Sequence, residues 1–341
     1  MSKVITFVVP CFNSQDYMRR CVDSLLPGGE DVEILIIDDG STDDTAKIAD
    51  QYAEEHPENV RAIHKENGGH GSAINIGLAE ATGKYFKVVD SDDWLAAEAY
   101  TTVLEHLKKM IAEENCEDLL ICNYTYNHLL EGSKKTMGYE NVFPQHALFT
   151  WKEIGHFHPS QYMILHSMIY RTMLLKRIGI ILPEHTFFVD NLLAYIPLPK
   201  VQSIYYLNVD PYQYFLGRED QSVNEEMLKK RIDQQIKVTK LVIGAADLES
   251  IHRQEPKLAD YMLRNVSVMM TISIIHLLLI GDAASEEKRK ELWQYVLRKD
   301  LRLYLRLHYS TLSGLTCIPG KVGKKIVIGG YRLSKQIFQF Q

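Results

Sequence analysis

Residues 85–93 have the sequence YFKVVDSDD, an apolar run followed by three carboxylates within four positions. The apolar run predicts a buried β-strand over Tyr85–Val89. Crowded carboxylates raise one another's pKa, so Asp90, Asp92 and Asp93 together call for a compensating partner. A hard divalent cation, which prefers oxygen ligands, would provide that compensation.

Two earlier apolar runs end in polar residues in the same way. VITFVVP at 4–10 leads into CFN, and VEILIID at 32–38 leads into DGS. With a third strand at 60–64 and amphipathic segments between the runs, residues 1–125 predict a parallel sheet covered by helices. Because ligands of such sheets bind beyond the carboxyl ends of the strands, the three polar ends should line one crevice.

Several residues are predicted to mark where helices begin and end. Ser14 and Ser41 are placed as N-caps of helices reaching about Leu25 and Glu55, and Asp93 as the cap of a helix from Trp94. Gly83 is placed in a left-handed turn that closes a helix over 72–81.

The polar ends have the chemistry of a nucleotide–metal site. The ring of Phe12 can stack on a flat base, and the Asp39 carboxylate can accept a hydrogen bond from an imide N–H. A cluster of acids can bind a divalent cation that also holds phosphates. Taken singly, each residue also has a structural interpretation, since Asp39 could cap a helix and Phe12 could pack in a core.

Charge is unevenly distributed along the 341 residues. Net charge is −6, yet residues 288–341 contain 12 Lys/Arg and two acids, a net of +10, which leaves −16 for the remainder. A basic tail on an acidic body suggests that the tail meets an anionic surface, whereas nucleic-acid binding would call for positive charge on the body as well. The alternative is a basic face that is only solvated.

The cysteine pattern and the N-terminus favour a cytoplasmic location. Five scattered cysteines form no CxxC pair, which argues against a zinc site or a disulfide framework. The apolar run at the N-terminus is too short for a signal peptide. The uncharged segment 265–281 is shorter than the roughly 20 residues of a membrane span, so we expect a buried helix there.

The motifs VVPCFN, IIDDGSTDDT, NGGHGSAINIG and VVDSDD, in this order and spacing, resemble glycosyltransferase family 2, of the bacterial surface-polysaccharide type. The resemblance covers about the first 125 residues. It implies a GT-A fold, a Rossmann-like mixed sheet, and inverting transfer of a sugar from a nucleotide-sugar donor, most often a UDP-sugar. It also implies Mg²⁺ or Mn²⁺ as cofactor.

The resemblance also implies roles for individual residues. Phe12 would lie against the base, Asp39 would accept from its imide, Asp90 would sit near the ribose, and Asp92 would bind the metal with Asp90. The full set of residues implied for donor binding is Pro10, Phe12, Asn13, Asp39, Asn67, Gly69, Asp90, Ser91, Asp92 and Arg218.

An inverting transfer needs a base that takes the proton of the acceptor hydroxyl. In HTFFVDNLLAYIPL the family pattern puts Asp190 in that position, although Val189 replaces the acid that usually precedes it. The alternative for Asp190 is a helix N-cap. Arg218, in YQYFLGREDQSV, has a guanidinium suited to a diphosphate, with a solvated surface arginine as its alternative.

Two further features of the resemblance remain open. His158 and His166, in HFHPSQYMILH, are weak candidates for the acceptor pocket, with a structural role as the alternative. Ile74 occupies the place where the family often has an arginine, so a donor contact from that residue is not available here.

The sequence thus predicts a GT-A catalytic domain over 1–220 and a mainly helical region over 221–341 with a basic tail. Residues 1–125 would form the donor half of the domain and 126–220 the acceptor half. The predicted activity is transfer of a single sugar to a saccharide or lipid-linked saccharide, at the inner face of the cell membrane where the tail meets it. Rival hypotheses are a polyprenyl-phosphate glycosyltransferase and a non-catalytic nucleotide-sugar-binding subunit of a polysaccharide assembly complex.

Overall fold

The structure is a computed structural model, and it describes residues 3–128, 132–217, 225–318 and 320–338. The chain divides into two compact units, Met1–Gly217 and Arg218–Gln341. The first unit is an α/β unit and the second is helical, so the predicted fold class is confirmed.

The first unit is built on a mixed sheet. Its strands are β1 (Ile5–Cys11), β2 (Val32–Asp38), β3 (Val60–His64), β4 (Tyr85–Val88), β5 (Trp94–Leu95), β6 (Leu119–His128), β7 (Ser133–Met137), β8 (Leu148–Phe149), β9 (Met168–Arg171) and β10 (Ile204–Leu216). The strand order is β3-β2-β1-β4-β9-β6-β10-β5, with β7 beside β6 and β8 beside β10.

Parallel pairing brings the polar strand ends to one edge of the sheet. In β1 and β2 all seven residues are buried, as expected for strands covered on both faces. Cys11 pairs with Asp38, and Val8 pairs with Val88 on the other side of β1. The residues that follow β1, β2 and β4 therefore emerge next to one another.

Among the described residues of the first unit, six α-helices connect these strands. They are α1 (Met18–Leu25), α2 (Thr45–Glu55), α3 (His70–Glu80), α4 (Ala97–Ala112), α5 (Thr172–Ile178) and α6 (Asp190–Tyr195). The predicted starts of the first two helices were wrong. Ser14 lies in a turn before α1, and the Ser41 hydroxyl accepts from the Asn13 backbone N–H, because both serines organise the edge of the sheet instead of capping.

The predictions for Asp93 and Gly83 were also wrong. Trp94 belongs to β5 and the next helix begins at Ala97, so Asp93 caps no helix; its carboxylate points into the unit. Gly83 does not have a positive φ angle. A Cβ at Gly83 would instead collide with the Thr6 backbone nitrogen, so the reason for glycine is close packing against β1.

The second unit contains eight helices among its described residues. They are α7 (Glu225–Lys230), α8 (Ile232–Gly244), α9 (Leu248–Gln254), α10 (Pro256–Ile280), α11 (Ala283–Lys299), α12 (Leu301–Ser310), α13 (Leu312–Leu315) and α14 (Gly320–Phe338). By length and composition α10 could cross a membrane, but 56% of its most apolar stretch is buried, and helices of the same unit pack around it. Burial of this kind is typical of a core helix.

Candidate active site

The end of β1 forms the first wall of the site. Pro10 is buried at the end of β1, whereas Phe12 is 51% exposed. Asn13 has a φ of 49°, and its side-chain oxygen accepts from the Thr42 backbone N–H at 2.9 Å. A positive φ at a non-glycine residue costs energy and is often found at functional sites.

Asp39, at the end of β2, anchors the glycine-rich segment that precedes α3. One carboxylate oxygen accepts from Lys65 Nζ at 2.6 Å and from the Gly68 N–H at 2.9 Å; the other accepts from the Gly69 N–H at 2.7 Å and from Asn67 Nδ2 at 3.1 Å. Asp39 is nearly fully buried. An imide N–H could therefore reach this carboxylate only by displacing a side chain such as that of Lys65.

The acidic cluster after β4 is held by partners from distant parts of the chain. Tyr212 Oη donates to Asp93 Oδ2 at 2.6 Å and accepts from the Asp90 N–H at 3.2 Å, and the Phe215 N–H donates to Asp93 Oδ1 at 2.8 Å. Ser91 Oγ lies 2.8 Å from Ser14 Oγ. The cluster is thus fastened to both β10 and the end of β1.

The pKa values of Asp93 and Asp90 in this cluster are shifted in opposite directions. Burial, together with the charges of Asp92 and Asp90, raises the pKa of Asp93 well above its usual range. Burial alone would also raise the pKa of Asp90, but the hydrogen bond with His70 and the charges of His70, His166 and Lys87 together lower it. The crowding that the sequence implies is therefore accompanied by opposite pKa shifts, upward at Asp93 and downward at Asp90.

Arg20 of α1 braces the cluster from the outside. Its guanidinium lies 3.9 Å from the centre of the Trp94 ring and 5.1 Å from that of Phe215, and it donates to the Asp92 carbonyl oxygen at 2.7 Å. An arginine stacked in this way is pre-organised, so it fixes the backbone that carries the Asp92 side chain.

His70, the first residue of α3, joins the acidic cluster to Asp190. Its Nε2 lies 2.9 Å from Asp90 Oδ1. Burial would lower the pKa of His70, but Asp90, Asp190 and Asp92 together raise it. Sequence reasoning missed His70, although it stands in the glycine-rich motif that was quoted for the donor site.

The segment that carries Asp190 is docked on α3. Asn75 Nδ2 donates to the Leu182 carbonyl and Asn75 Oδ1 accepts from the Leu182 N–H, both at 2.9 Å. Ser72 Oγ donates to Glu184 Oε1 at 2.9 Å, and the His185 N–H donates to the Gly68 carbonyl at 2.6 Å. Asp190 is thereby brought to the glycine-rich segment from more than a hundred residues away.

Asp190 is the first residue of α6, and Val189 holds the N-cap position. Nearby, His185 and Phe188 both have positive φ angles, of 46° and 66°. Burial raises the pKa of Asp190, and the charge of His70 opposes that effect only in part. A carboxylate with a raised pKa is a better proton acceptor at neutral pH.

The two histidine candidates have different surroundings. His166 stacks on Tyr212, with ring centres 4.4 Å apart, and it can offer a ligand atom within 4.8 Å of those of Asp90 and Asp93. Burial lowers the pKa of His166 to about 4. His158 is exposed on the preceding loop. Arg218 lies outside the described residues.

Comparison with known proteins identifies a family for this part of the chain. Residues 6–171 match the model of glycosyl transferase family 2. The uncharacterized glycosyltransferase YibD of Escherichia coli K12 is 41% identical over 120 residues, which cover 35% of this chain and 33% of YibD. The chondroitin synthase of E. coli is 36% identical over 139 residues, 40% of this chain and 19% of that protein.

These matches span a third or less of either relative's length. Among solved structures, residues 1–349 of TarS from S. aureus, in complex with UDP-GlcNAc, superpose with a TM-score of 0.67 at 17% identity, over 97% of this chain and 92% of that one. At 17% identity, this structural similarity shows that the two proteins share a fold. Residues 6–171 are therefore a family 2 glycosyltransferase domain, and the first unit has the GT-A fold.

Proposed function

We propose that this protein transfers one sugar from a nucleoside-diphosphate sugar, a UDP-sugar in the simplest case, to a hydroxyl of a saccharide acceptor, with inversion at the anomeric carbon. The observation that carries the proposal is the convergence of the ends of β1, β2 and β4 with Asp190, which distant contacts dock on α3. UDP-GlcNAc bound to TarS, a protein of the same fold, supports the donor class.

On the donor side, the exposed ring of Phe12 offers a stacking face for the base. Asp39 and Asn67 hold the glycine-rich backbone beside it. The α3 N-terminus follows directly, and the N–H groups at a helix start favour phosphate. We assign the nucleotide to this crevice.

The acids of the cluster fit a hard divalent cation. Carboxylate oxygens are the ligands that Mg²⁺ and Mn²⁺ prefer. We assign the ion to Asp92 and Asp90, because both oxygens of Asp93 already accept hydrogen bonds within the protein. When bound, the ion would neutralise charge on the departing diphosphate.

On the acceptor side, Asp190 serves as the base that takes the proton from the attacking hydroxyl. Tyr126, Tyr162 and Tyr214 are grouped nearby: the hydroxyls of Tyr126 and Tyr162 lie 3.5 Å apart, and the ring centres of Tyr126 and Tyr214 lie 5.7 Å apart. Burial is the main cause of the raised pKa of Tyr162, and the charge of Asp190 adds to it. Rings with hydroxyl tips suit the apolar faces and hydroxyls of a sugar better than they suit a phosphate.

The first test is thermal unfolding with a panel of nucleotides and nucleotide sugars, with and without Mn²⁺. A ligand that binds only the folded protein raises the unfolding temperature according to its occupancy. We expect one nucleotide sugar to give a shift that depends on the metal. If folded protein shows no shift with any member of the panel, the donor site is refuted.

The second test separates the proposed chemistry from its rivals. Asp190→Asn should lower transfer by about 10²–10⁴-fold and leave donor binding intact, because a positioned base typically contributes that factor. Asp50→Asn, which changes an exposed carboxylate on α2, is the matched control and should retain full activity. Full transfer by Asp190→Asn to a polyprenyl phosphate would favour that rival, since its acceptor is already ionised. Donor binding without turnover by the parent protein, with any acceptor, would favour a binding subunit.

A further inference from the structure

Among the described residues, large apolar side chains are exposed mainly in the C-terminal helices of the second unit. Of the fifteen that are exposed among the described residues, ten fall between positions 297 and 333. They are Leu297, Leu301, Leu305, Tyr309, Leu312, Leu315, Ile318, Val322, Ile326 and Leu333. Scattered apolar residues on a surface need no explanation, but such a concentration indicates an interaction surface.

On α14 the exposed apolar residues form a stripe. At 100° per residue, Val322, Ile326 and Leu333 fall within about 40° of one another around the helix. All three are more than half exposed, at 71%, 57% and 57%. The exposed side chains of Lys325 and Arg332 lie along one border of this stripe.

The opposite face of α14 already packs within the unit. The Tyr331 ring lies 6.0 Å from that of His276 on α10, and Tyr331 Oη donates to Glu225 at 3.4 Å. The inner contacts that hold the helix in place are therefore made by another face. Packing within the unit does not account for the apolar stripe.

The charge around the stripe narrows the choice of partner. The sequence of α14 contains five Lys/Arg and no acid, and residues 288–341 carry a net charge of +10. A helix with an exposed apolar stripe bordered by cations is typical of binding at an anionic membrane surface. Nucleic acid would use the cations but would leave the apolar stripe in water. A symmetric contact between the α14 helices of two copies would bring like charge against like.

We propose that α14 binds the surface of an anionic lipid bilayer, with Val322, Ile326 and Leu333 inserted among the lipids and with Lys325 and Arg332 at the headgroups. Binding of this kind would keep the enzyme at the membrane, where a lipid-linked saccharide would be found. The inference does not rest on the proposed transfer, since neither donor nor acceptor takes part in it.

The test is flotation of the full chain with vesicles of phosphatidylcholine alone or mixed with phosphatidylglycerol. We expect binding to the mixed vesicles at low salt and weaker binding at high salt, because salt screens the headgroup attraction. Val322→Ser/Ile326→Ser/Leu333→Ser should lower the partition coefficient by about tenfold or more, since each loses a buried apolar group. Lys325→Glu/Arg332→Glu should lower it by a similar factor.

The matched controls are Ile181→Ser, at an 82% exposed apolar residue of the first unit, and the charge reversal Lys84→Glu/Arg177→Glu on the same unit. Both should float like the parent protein. Equal flotation of the stripe variant and the parent would overturn the proposal. It would also be overturned if the parent bound duplex DNA but no vesicle, or if it formed a dimer that the stripe variant lost while vesicle binding was absent.

Discussion

Asn75→Ala should both destabilise the first unit and slow transfer. In the structure, Asn75 satisfies the backbone N–H and the carbonyl of Leu182 through two hydrogen bonds of 2.9 Å, and Leu182 is 1% exposed. Each lost bond costs roughly 1 kcal/mol when its partner stays buried. Alanine is the better helix former by about 0.5 kcal/mol. The net cost is therefore about 1.5 kcal/mol.

For a unit of this size, 1.5 kcal/mol corresponds to a fall in unfolding temperature of about 3–6 °C. Leu182 begins the segment that leads to Asp190, so we expect kcat to fall while the affinity for the donor is retained. Thermal unfolding and steady-state kinetics measure the two effects on the same preparation. The matched control is Glu80→Ala on the same helix, which removes an exposed ion pair with Arg61 and should cost at most about 1 kcal/mol.

Two results would refute this reasoning. An unchanged unfolding temperature would mean that the Leu182 backbone finds other partners, so that the two hydrogen bonds do not hold the segment. A lowered unfolding temperature with unchanged kcat would mean that the position of Asp190 does not depend on the contact with α3.

Three further predictions follow from single contacts. Gly83→Ala should lower the unfolding free energy by about 1–3 kcal/mol in a denaturant titration, because the alanine Cβ would collide with the Thr6 backbone. An unchanged midpoint would show that the backbone of β1 can move to accommodate the added Cβ. Tyr212→Phe should cost about 1–3 kcal/mol, because a buried Asp93 oxygen loses its donor, and a cost below 0.5 kcal/mol in the same titration would contradict that contact. Transfer should fall as the pH drops through a midpoint above 3.8, because burial and the charge of Asp90 raise the pKa of Asp190 and the charge of His70 opposes them only in part. A pH–rate profile that stays flat down to pH 4 would exclude Asp190 as the base.

The strands that form the parallel half of the sheet could be predicted because the pattern that indicates each of them lies within a few consecutive residues of the sequence. Val60–His64 was predicted and observed with the same bounds, and β2 starts and ends where its apolar run does. The part of the sheet around β9 and β10 was not predicted from the sequence. The short β9 pairs antiparallel between β4 and β6, and β10 is interrupted by a register shift between Leu207 and Tyr212 that no periodicity shows.

The same difference explains what was missed in the site. Motifs locate Asp39 and Asp90 along the chain, but they do not give the partners of those carboxylates. Lys65, which donates to Asp39, stands 26 residues away, and Tyr212, which donates to Asp93, stands 119 residues away. The direction of the Asp93 side chain depends on that distant tyrosine, so a helix cap was the natural and wrong expectation from sequence alone.

The isoleucine at position 74 can now be interpreted together with His70. Ile74 is 1% exposed, so its side chain belongs to the core under α3. His70 stands one helical turn earlier on the same side of α3, and its Nε2 lies 2.9 Å from Asp90. The family often has a cation at position 74. In this chain the imidazole of His70 stands in the first turn of the helix, where Asp90, Asp190 and Asp92 raise its pKa against the effect of burial. Although Ile74 removes one basic side chain that the family resemblance implies, an imidazole one helical turn earlier lies within hydrogen-bonding distance of Asp90.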